Sequence, residues 1–344
     1  MIRQLFAKAG IKKARVGIEV QSQGLAIAVR AELPQSAAPP EPDNSQEAQS
    51  TAGDSVSKAW RPSISHSSLL LNEAAGADQI SMLNDWVESQ GLVNSSCYMV
   101  LANNDYQLLL VEAPDVPEDE LREAVRWRIK ELISIPVDKA AIDVFMLPED
   151  GSRGGKKMAY VVVTELTKIH SMIELVRQSG LKLVAIDIVE LALRNIAYMK
   201  EMGNTDSLGV AIVRLVSGGG TVSLYRKGNL YLSRQFQLSF GGGLLDDIPA
   251  DSFILEVQRS LDYYERQMGQ SPPSVLYICG ENISEDKITL DISRGLNVPA
   301  KYLNLEESVL AEASIDEGML HVCVAALGGV LRDDVVNNHR SVEA

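Results

Sequence analysis

Apolar positions recur along this chain in two rhythms. Short apolar runs bounded by Gly, Pro and Asn mark strands, and apolar residues spaced three and four apart mark helices. VGIEVQSQGLAIAVR (16–30) reads as a β-hairpin with Gln23-Gly24 at its turn. A strand at SSLLL, a helix over ADQISMLNDWVESQGL and two strands within SSCYMVLANNDYQLLLVEAP follow. VPEDELREAVRWRIKELI predicts a helix: Pro117 suits the first turn, and Glu118, Asp119 and Glu120 meet the positive end of the dipole. Leu121, Ala124, Val125, Ile129, Leu132 and Ile133 form its apolar stripe. KMAYVVVTE is a strand, TKIHSMIELVRQSG a helix closed by Gly180, and LKLVAIDIV a further strand. Asp187 and Glu190, three apart, predict a capping box that opens the helix VELALRNIAYM.

The chain turns polar from Met202 to Ser207, and the pattern then starts again. SLGVAIVRLV, TVSLYRK and NLYLSRQFQLS predict a three-stranded meander with glycine turns. PADSFILEVQRSLDYYERQMG predicts a helix with Phe253, Ile254, Val257, Leu261, Tyr264 and Met268 on its apolar face. SVLYICG is a strand, EDKITLDISRGL a helix, PAKYLNL a strand and GMLHVCVAALGGVLR a last helix. Each half opens on a hairpin or meander and continues with alternating helix and strand, which indicates a duplicated α/β fold in two lobes. The expected division is a basic segment 1–15, a first lobe 16–202, a second lobe 203–333 and a flexible tail 334–344.

Composition changes this picture in a few places. AELPQSAAPPEPDNSQEAQSTAGDSVSK is rich in Pro, Ser, Ala and acidic residues, so 33–58 reads as a disordered insertion that cannot offset its ordering entropy. A net charge of −14, from 32 basic and 46 acidic residues, excludes a general nucleic-acid binder. Cys97, Cys279 and Cys323 are odd in number and far apart, and they read as buried small apolar residues in a reducing compartment. His66, His170, His321 and His339 lack metal-binding spacing, so no metal site is expected. No apolar run reaches the roughly 20 residues of a spanning helix, and the start has no signal-peptide pattern, so a cytoplasmic location is expected. MIRQLFAKAGIKKAR carries Arg3, Lys8, Lys12, Lys13 and Arg15, with Ile2, Leu5, Phe6 and Ala9 on one helical face. It reads either as a frayed, solvated terminus or as a short basic amphipathic helix lying on an anionic membrane.

Two residues break the pattern of the 117–133 helix. Arg128 falls on the apolar stripe, and Trp127 points away from it. Trp127 either packs on a neighbouring element or, with Arg128, marks a docking surface, because both residue types are enriched at interface hot spots.

LEVQRSLDYYERQMGQSP (255–272) resembles the helix of PilM-type pilus assembly proteins that reads roughly E-I-x-R-S-L-x-Y-Y. DELREAVRWRIKELISIPVDKAAIDVFML and LVRQSGLKLVAIDIVELALRNI resemble two further segments of that family, in family order. The long insertion and the altered nucleotide motifs resemble its MshI branch, which serves mannose-sensitive haemagglutinin (MSHA) type IV pili. The resemblance implies the ribonuclease-H-like, actin-like ATPase fold, with a small α/β subdomain inserted in the first lobe at about 115–185. It also implies a cytoplasmic protein peripheral to the inner membrane, bound to the cytoplasmic tail of a PilN- or MshJ-like partner and coupled to pilus platform and motor components. In relatives the tail docks near the inserted subdomain, the region that here contains Trp127.

In this superfold two β-hairpins hold phosphates through backbone N–H groups, and acidic side chains arrange Mg²⁺. The family reads D-I-G-S-S-x-x-K in the first hairpin and D-I-G-x-x-x-T-T in the second. Here the first reads Glu19-Val20-Gln21-Ser22, with Ala26 or Ile27 at the lysine position, and the second Arg214-Leu215-Val216-Ser217-Gly218-Gly219-Gly220-Thr221. Arginine has no acceptor atom and cannot ligate Mg²⁺. Gly280 and Asn282 stand where relatives carry a glycine run, and the second run, Gly241-Gly242-Gly243 before Asp246 and Asp247, reads as a strand-to-helix connection. The triple glycine at 218–220 reads as a hairpin turn or as a remnant phosphate cradle. The expectation is a vestigial nucleotide site of Glu19, Ser22, Gly218, Gly219, Gly220, Thr221 and Gly280, with no catalytic residue and no cofactor beyond ATP held without turnover. The alternatives are an active ATPase of the same fold and a small-molecule kinase, which needs the phosphate hairpins intact.

Overall fold

The computed structural model describes residues 14–31, 61–72, 78–152, 155–202, 207–216, 218–238, 249–281, 283, 285–288 and 290–332. The basic segment up to Lys13, the 33–58 insertion, Gly241–Gly243 with Asp246 and Asp247, Asn282 and the 334–344 tail lie outside the described residues.

β1 (Arg15–Gln21) and β2 (Gly24–Arg30) form the predicted hairpin, and β3 (Ser63–Leu71) joins β2 antiparallel. The turn residues are Ser22 and Gln23, because Gly24 already pairs with Gln21. α1 (Gln79–Ser89) starts at Asp78, whose side chain accepts from the Ile80 N–H, and β4 (Ser96–Leu101) then lies parallel to β1. The chain leaves this sheet for β5 (Tyr106–Glu112), α2 (Glu118–Arg128), β6 (Ala140–Met146) and β7 (Met158–Glu165), a small sheet ordered β5-β7-β6. Leu121, Val125 and Ile129 pack there on Val111, Val161 and Val163 as a separate core. The chain returns through α3 (Leu166–Gln178) to β8 (Lys182–Ile188), parallel to β4, and ends the first half on α4 (Val189–Glu201). The small sheet thus spans 106–165, and β8, which begins inside the 115–185 expected from the resemblance, belongs to the main sheet.

The second half repeats this plan. β9 (Val210–Val216), β10 (Gly219–Arg226) and β11 (Asn229–Gln237) form the meander, and α5 (Ala250–Asp262) runs on through a π-helical turn to Gln267. β12 (Val275–Gly280) lies parallel to β9, and after α6 (Leu290–Gly295) β13 (Ala300–Tyr302) lies parallel to β12. The order β11-β10-β9-β12-β13 repeats β3-β2-β1-β4-β8 strand for strand. A two-residue β14 (Leu310–Ala311), too short for the apolar pattern to reveal, extends the first sheet beside β3. α7 (Glu317–Val322) and α8 (Val324–Val330) close the described chain.

Each half's last helix packs chiefly on the other half's sheet. α4 packs on β9, β10 and β11, α8 packs on β1, β2 and β4, and the two helices touch. Every residue of α8 is buried, and a Cβ on its Gly328 would meet the Ala192 carbonyl oxygen of α4 at 2.2 Å. The small residues of VAALGGV are what let the two backbones approach.

Three local expectations are corrected. α2 ends at Arg128, five residues before the predicted end, and leaves Leu132 59% exposed. The Arg126 guanidinium donates to the Val137 carbonyl at 2.8 Å and ties the returning chain to the helix. Asp187 and Glu190 form no capping box: α4 begins at Val189 with no side-chain cap, Asp187 pairs with Arg332, and Glu190 faces the interior. The last predicted helix is broken at Cys323 into α7 and α8. All three cysteines are free and buried. Among the described residues, no helix is long and apolar enough to cross a membrane.

Candidate functional site

β1 and β9 occupy the same central position in the two repeated sheets, and their side chains meet between the lobes. Arg214 of β9 donates from both terminal nitrogens to the two carboxylate oxygens of Glu19 of β1, at 2.9 and 2.9 Å. Glu19 is 1% exposed and Arg214 7% exposed. Burial pulls the Arg214 guanidinium down, but the Glu19 charge and its hydrogen bonds outweigh that and hold it above its ordinary value. Gln21 adds a donor: its Nε2 reaches Glu19 at 2.8 Å and the Val322 carbonyl at 3.1 Å.

Magnesium requires oxygen ligands in octahedral array. Here both oxygens of the one nearby carboxylate from β1 accept from a guanidinium, which offers no acceptor itself. The donor set is that of a closed ion pair, and a magnesium–nucleotide group does not fit it without breaking the pair. Among the described residues, no cluster of His, Cys, Asp and Glu could hold a metal ion.

The triple glycine serves the sheet. Val216 pairs with Gly219, which leaves a two-residue turn containing Gly218, whose φ is +86°. Gly219 and Gly220 are buried strand residues, and a Cβ on Gly219 would meet the Phe236 carbonyl oxygen of β11 at 2.2 Å. Thr221 pairs with Arg214 across the hairpin, and its hydroxyl accepts from Asn103 Nδ2 of the first lobe at 2.7 Å. Gly280 pairs with Leu215 at the end of β12, and its N–H faces Nδ1 of the buried His321 at 3.5 Å. The His321 ring stacks on Tyr302 at 4.7 Å, and burial holds its imidazole down to about 4 from the ordinary 6.5. Ser22 stands apart, exposed at the hairpin turn.

Sequence reasoning took Glu190 for a capping residue and missed its burial. It is buried against Tyr106 of β5, which donates to one oxygen, and Ser233 of β11, which donates to the other at 3.1 Å. Burial raises its carboxyl above the ordinary value, against the opposing hydrogen bonds and the Arg214 charge. Its place in an apolar helical repeat was the available signal, because a carboxylate there must find partners.

The small sheet carries a different feature. Trp127 is 71% exposed and, with Arg126, Lys130, Ile133, Ile135 and Val137, lines a groove of about 580 Å³. Arg128, paired with Trp127 in the sequence reading, does not line it. Its charge acts on Glu112 instead, because α2 turns that side chain away from Trp127.

No protein-family profile matches the sequence, and no curated protein matches it. Among solved structures, the chain is similar to the PilM-PilN type IV pilus biogenesis complex, with 17% identity and a TM-score of 0.63 over 92% of this chain and 98% of that one. It is more loosely similar to the cytoplasmic domain of EpsL, an inner membrane component of the type II secretion system of Vibrio cholerae (11% identity, TM-score 0.48, 94% and 95% covered). A Bacteroides thetaiotaomicron protein with an actin-like ATPase fold and unknown function is similar at 9% identity and TM-score 0.45, over 91% and 96%. At such identities the likeness is one of fold. With its repeated strand order and the last helix of each half packed on the opposite sheet, the chain has a duplicated α/β fold of two lobes with a small α/β subdomain inserted in the first, the fold it shares with the PilM-PilN structure.

Proposed function

We propose that this chain is a non-catalytic scaffold of a type IV pilus assembly platform, of the MSHA kind, peripheral to the inner membrane on its cytoplasmic side. It binds the short cytoplasmic tail of a PilN- or MshJ-like inner-membrane protein and links it to other platform and motor components. The observation that carries this reading is the exposed Trp127 over an apolar groove on the inserted sheet. An indole at 71% exposure beside Ile133, Ile135 and Val137 has the character of a hot spot awaiting a partner. The likeness to the PilM-PilN complex along nearly the whole of both chains supports the choice of partner.

The reading assigns no turnover to the cleft. Glu19 is engaged by Arg214, and among the described residues no group of three or more His, Cys, Asp or Glu side chains is placed to hold a metal ion. ATP is at most a ligand held without hydrolysis.

Calorimetric titration of the full chain with a synthetic peptide of the partner's tail is expected to saturate, and Trp127→Glu to weaken binding by about tenfold or more. A folded chain that ignores the peptide, or a variant that binds it equally well, overturns the reading. ATP hydrolysis above that of heat-inactivated protein, lost in Glu19→Gln, would establish the competing reading of an active ATPase.

A further inference from the structure

In two-lobed proteins a ligand seated between the lobes commonly holds them together by touching both. Here the junction carries ties of its own. Glu19–Arg214 joins the central strands of the two sheets through two bonds of 2.9 Å. Gln21 bridges the pair to Val322, Asn103 reaches Thr221 at 2.7 Å, and Gln23 of the first hairpin turn donates to Glu281 beyond β12 at 3.0 Å. The inserted sheet is tied to the second lobe in turn: the Tyr160 hydroxyl accepts from the Ser233 N–H and donates to the Tyr231 carbonyl, both at 3.2 Å, and Tyr231 donates to Asp150 at 2.8 Å.

The geometry points to an interlobe latch: the Glu19–Arg214 pair takes over the bridging role of a nucleotide and fixes the two lobes in one closed arrangement that needs no ligand. The physical reason is selectivity among arrangements more than net stabilisation. A buried ion pair roughly balances its desolvation when every lone pair and proton is satisfied, but a small displacement that parts the charges while the interface stays dry leaves both uncompensated. Intermediate openings are therefore excluded, and full opening must also separate α8 from the first sheet and from α4, with which it is closely packed. The consequence is that the inserted sheet holds its groove in one orientation at all times. That last step rests on the docking reading above; the latch itself does not.

Pulsed electron-spin distance measurement between nitroxides on exposed positions of the two lobes, Glu88→Cys in α1 and Gln267→Cys after α5, tests this in the full chain. The three native cysteines are buried and stay unlabelled. With Arg214 intact, one narrow distance is expected, unchanged by ATP and Mg²⁺. Glu19→Gln combined with Arg214→Met leaves no unpaired charge and is expected to add a longer distance, raising the open fraction by about tenfold or more. If that double variant does not fold, Arg214→Lys, which keeps the charge but loses the two-pronged contact, is expected to give the same second population in smaller amount. A distance that is broad from the start or moves with Mg²⁺–ATP overturns the latch, and so do variants as narrow as the parent. Failure of the tail titration would leave these distances unaffected, so the two readings fail separately.

Discussion

The cleft between the lobes and the groove on the inserted sheet treat their side chains in opposite ways. In the cleft, Glu19 and Arg214 satisfy one another in a buried pair, and the partly buried Gln21 and Asn103 reach across. In the groove, Trp127 stands largely in solvent over apolar neighbours. A site whose charges close on themselves has used its binding chemistry internally. An exposed indole has kept its own. On the proposed reading, the docking surface of the molecule is the groove on the inserted sheet, away from the cleft between the lobes.

The contrast breaks first if the charge pair proves unimportant. Arg214→Met leaves the Glu19 carboxylate buried without its partner and is expected to cost roughly 3–5 kcal/mol in denaturant unfolding; a loss below about 1 kcal/mol would show the cleft open to water. His321, beside the cleft at Gly280, sharpens the same point through pH. Its folded value lies near 4 against an ordinary 6.5, so the unfolded chain takes up the proton first. Stability from this group is complete above pH 6.5 and falls as pH drops towards 4, by roughly 3 kcal/mol in all. His321→Phe, which keeps a ring against Tyr302, is expected to flatten that part of the stability–pH curve, and an unchanged slope would show that the imidazole is hydrated.

Gly328→Ala comes next. The added methyl group meets the Ala192 carbonyl oxygen, and overpacking of this kind costs about 1–3 kcal/mol. The loss, read in thermal melts, reports on the α4–α8 contact alone. Smallest is Trp127→Glu, expected to stay within about 0.5 kcal/mol of the parent because the side chain is solvated. A large loss would make Trp127 a packing residue and remove the groove from consideration.

Much of this was legible in the chain. The β-hairpin at 16–30, the meander from 210 and the helix over 250–262 follow from local pattern, because one buried face or one apolar stripe repeats at a fixed period. Trp127 was legible as an anomaly on its helix. Other features were not. Asp187 and Glu190 carry the spacing of a capping box, yet tertiary partners, Arg332 for one and Tyr106 with Ser233 for the other, won over the local motif. The helix predicted to run to Ile133 stops at Arg128, held back by the Arg126–Val137 contact. β14 has only two residues and exists because β3 offers it an edge.

The sequence by itself determined the repeated order of strands and helices and the presence at residue 214 of a guanidinium, which cannot ligate a metal, since periodicity and residue chemistry are local properties. Only the tertiary structure decided that Glu19, 195 positions away, is the partner of that guanidinium. It alone also decided that the last helix of each half packs chiefly on the other half's sheet. Such pairings are set by which buried surfaces and charges complement each other once the lobes close, and no period along the chain encodes that.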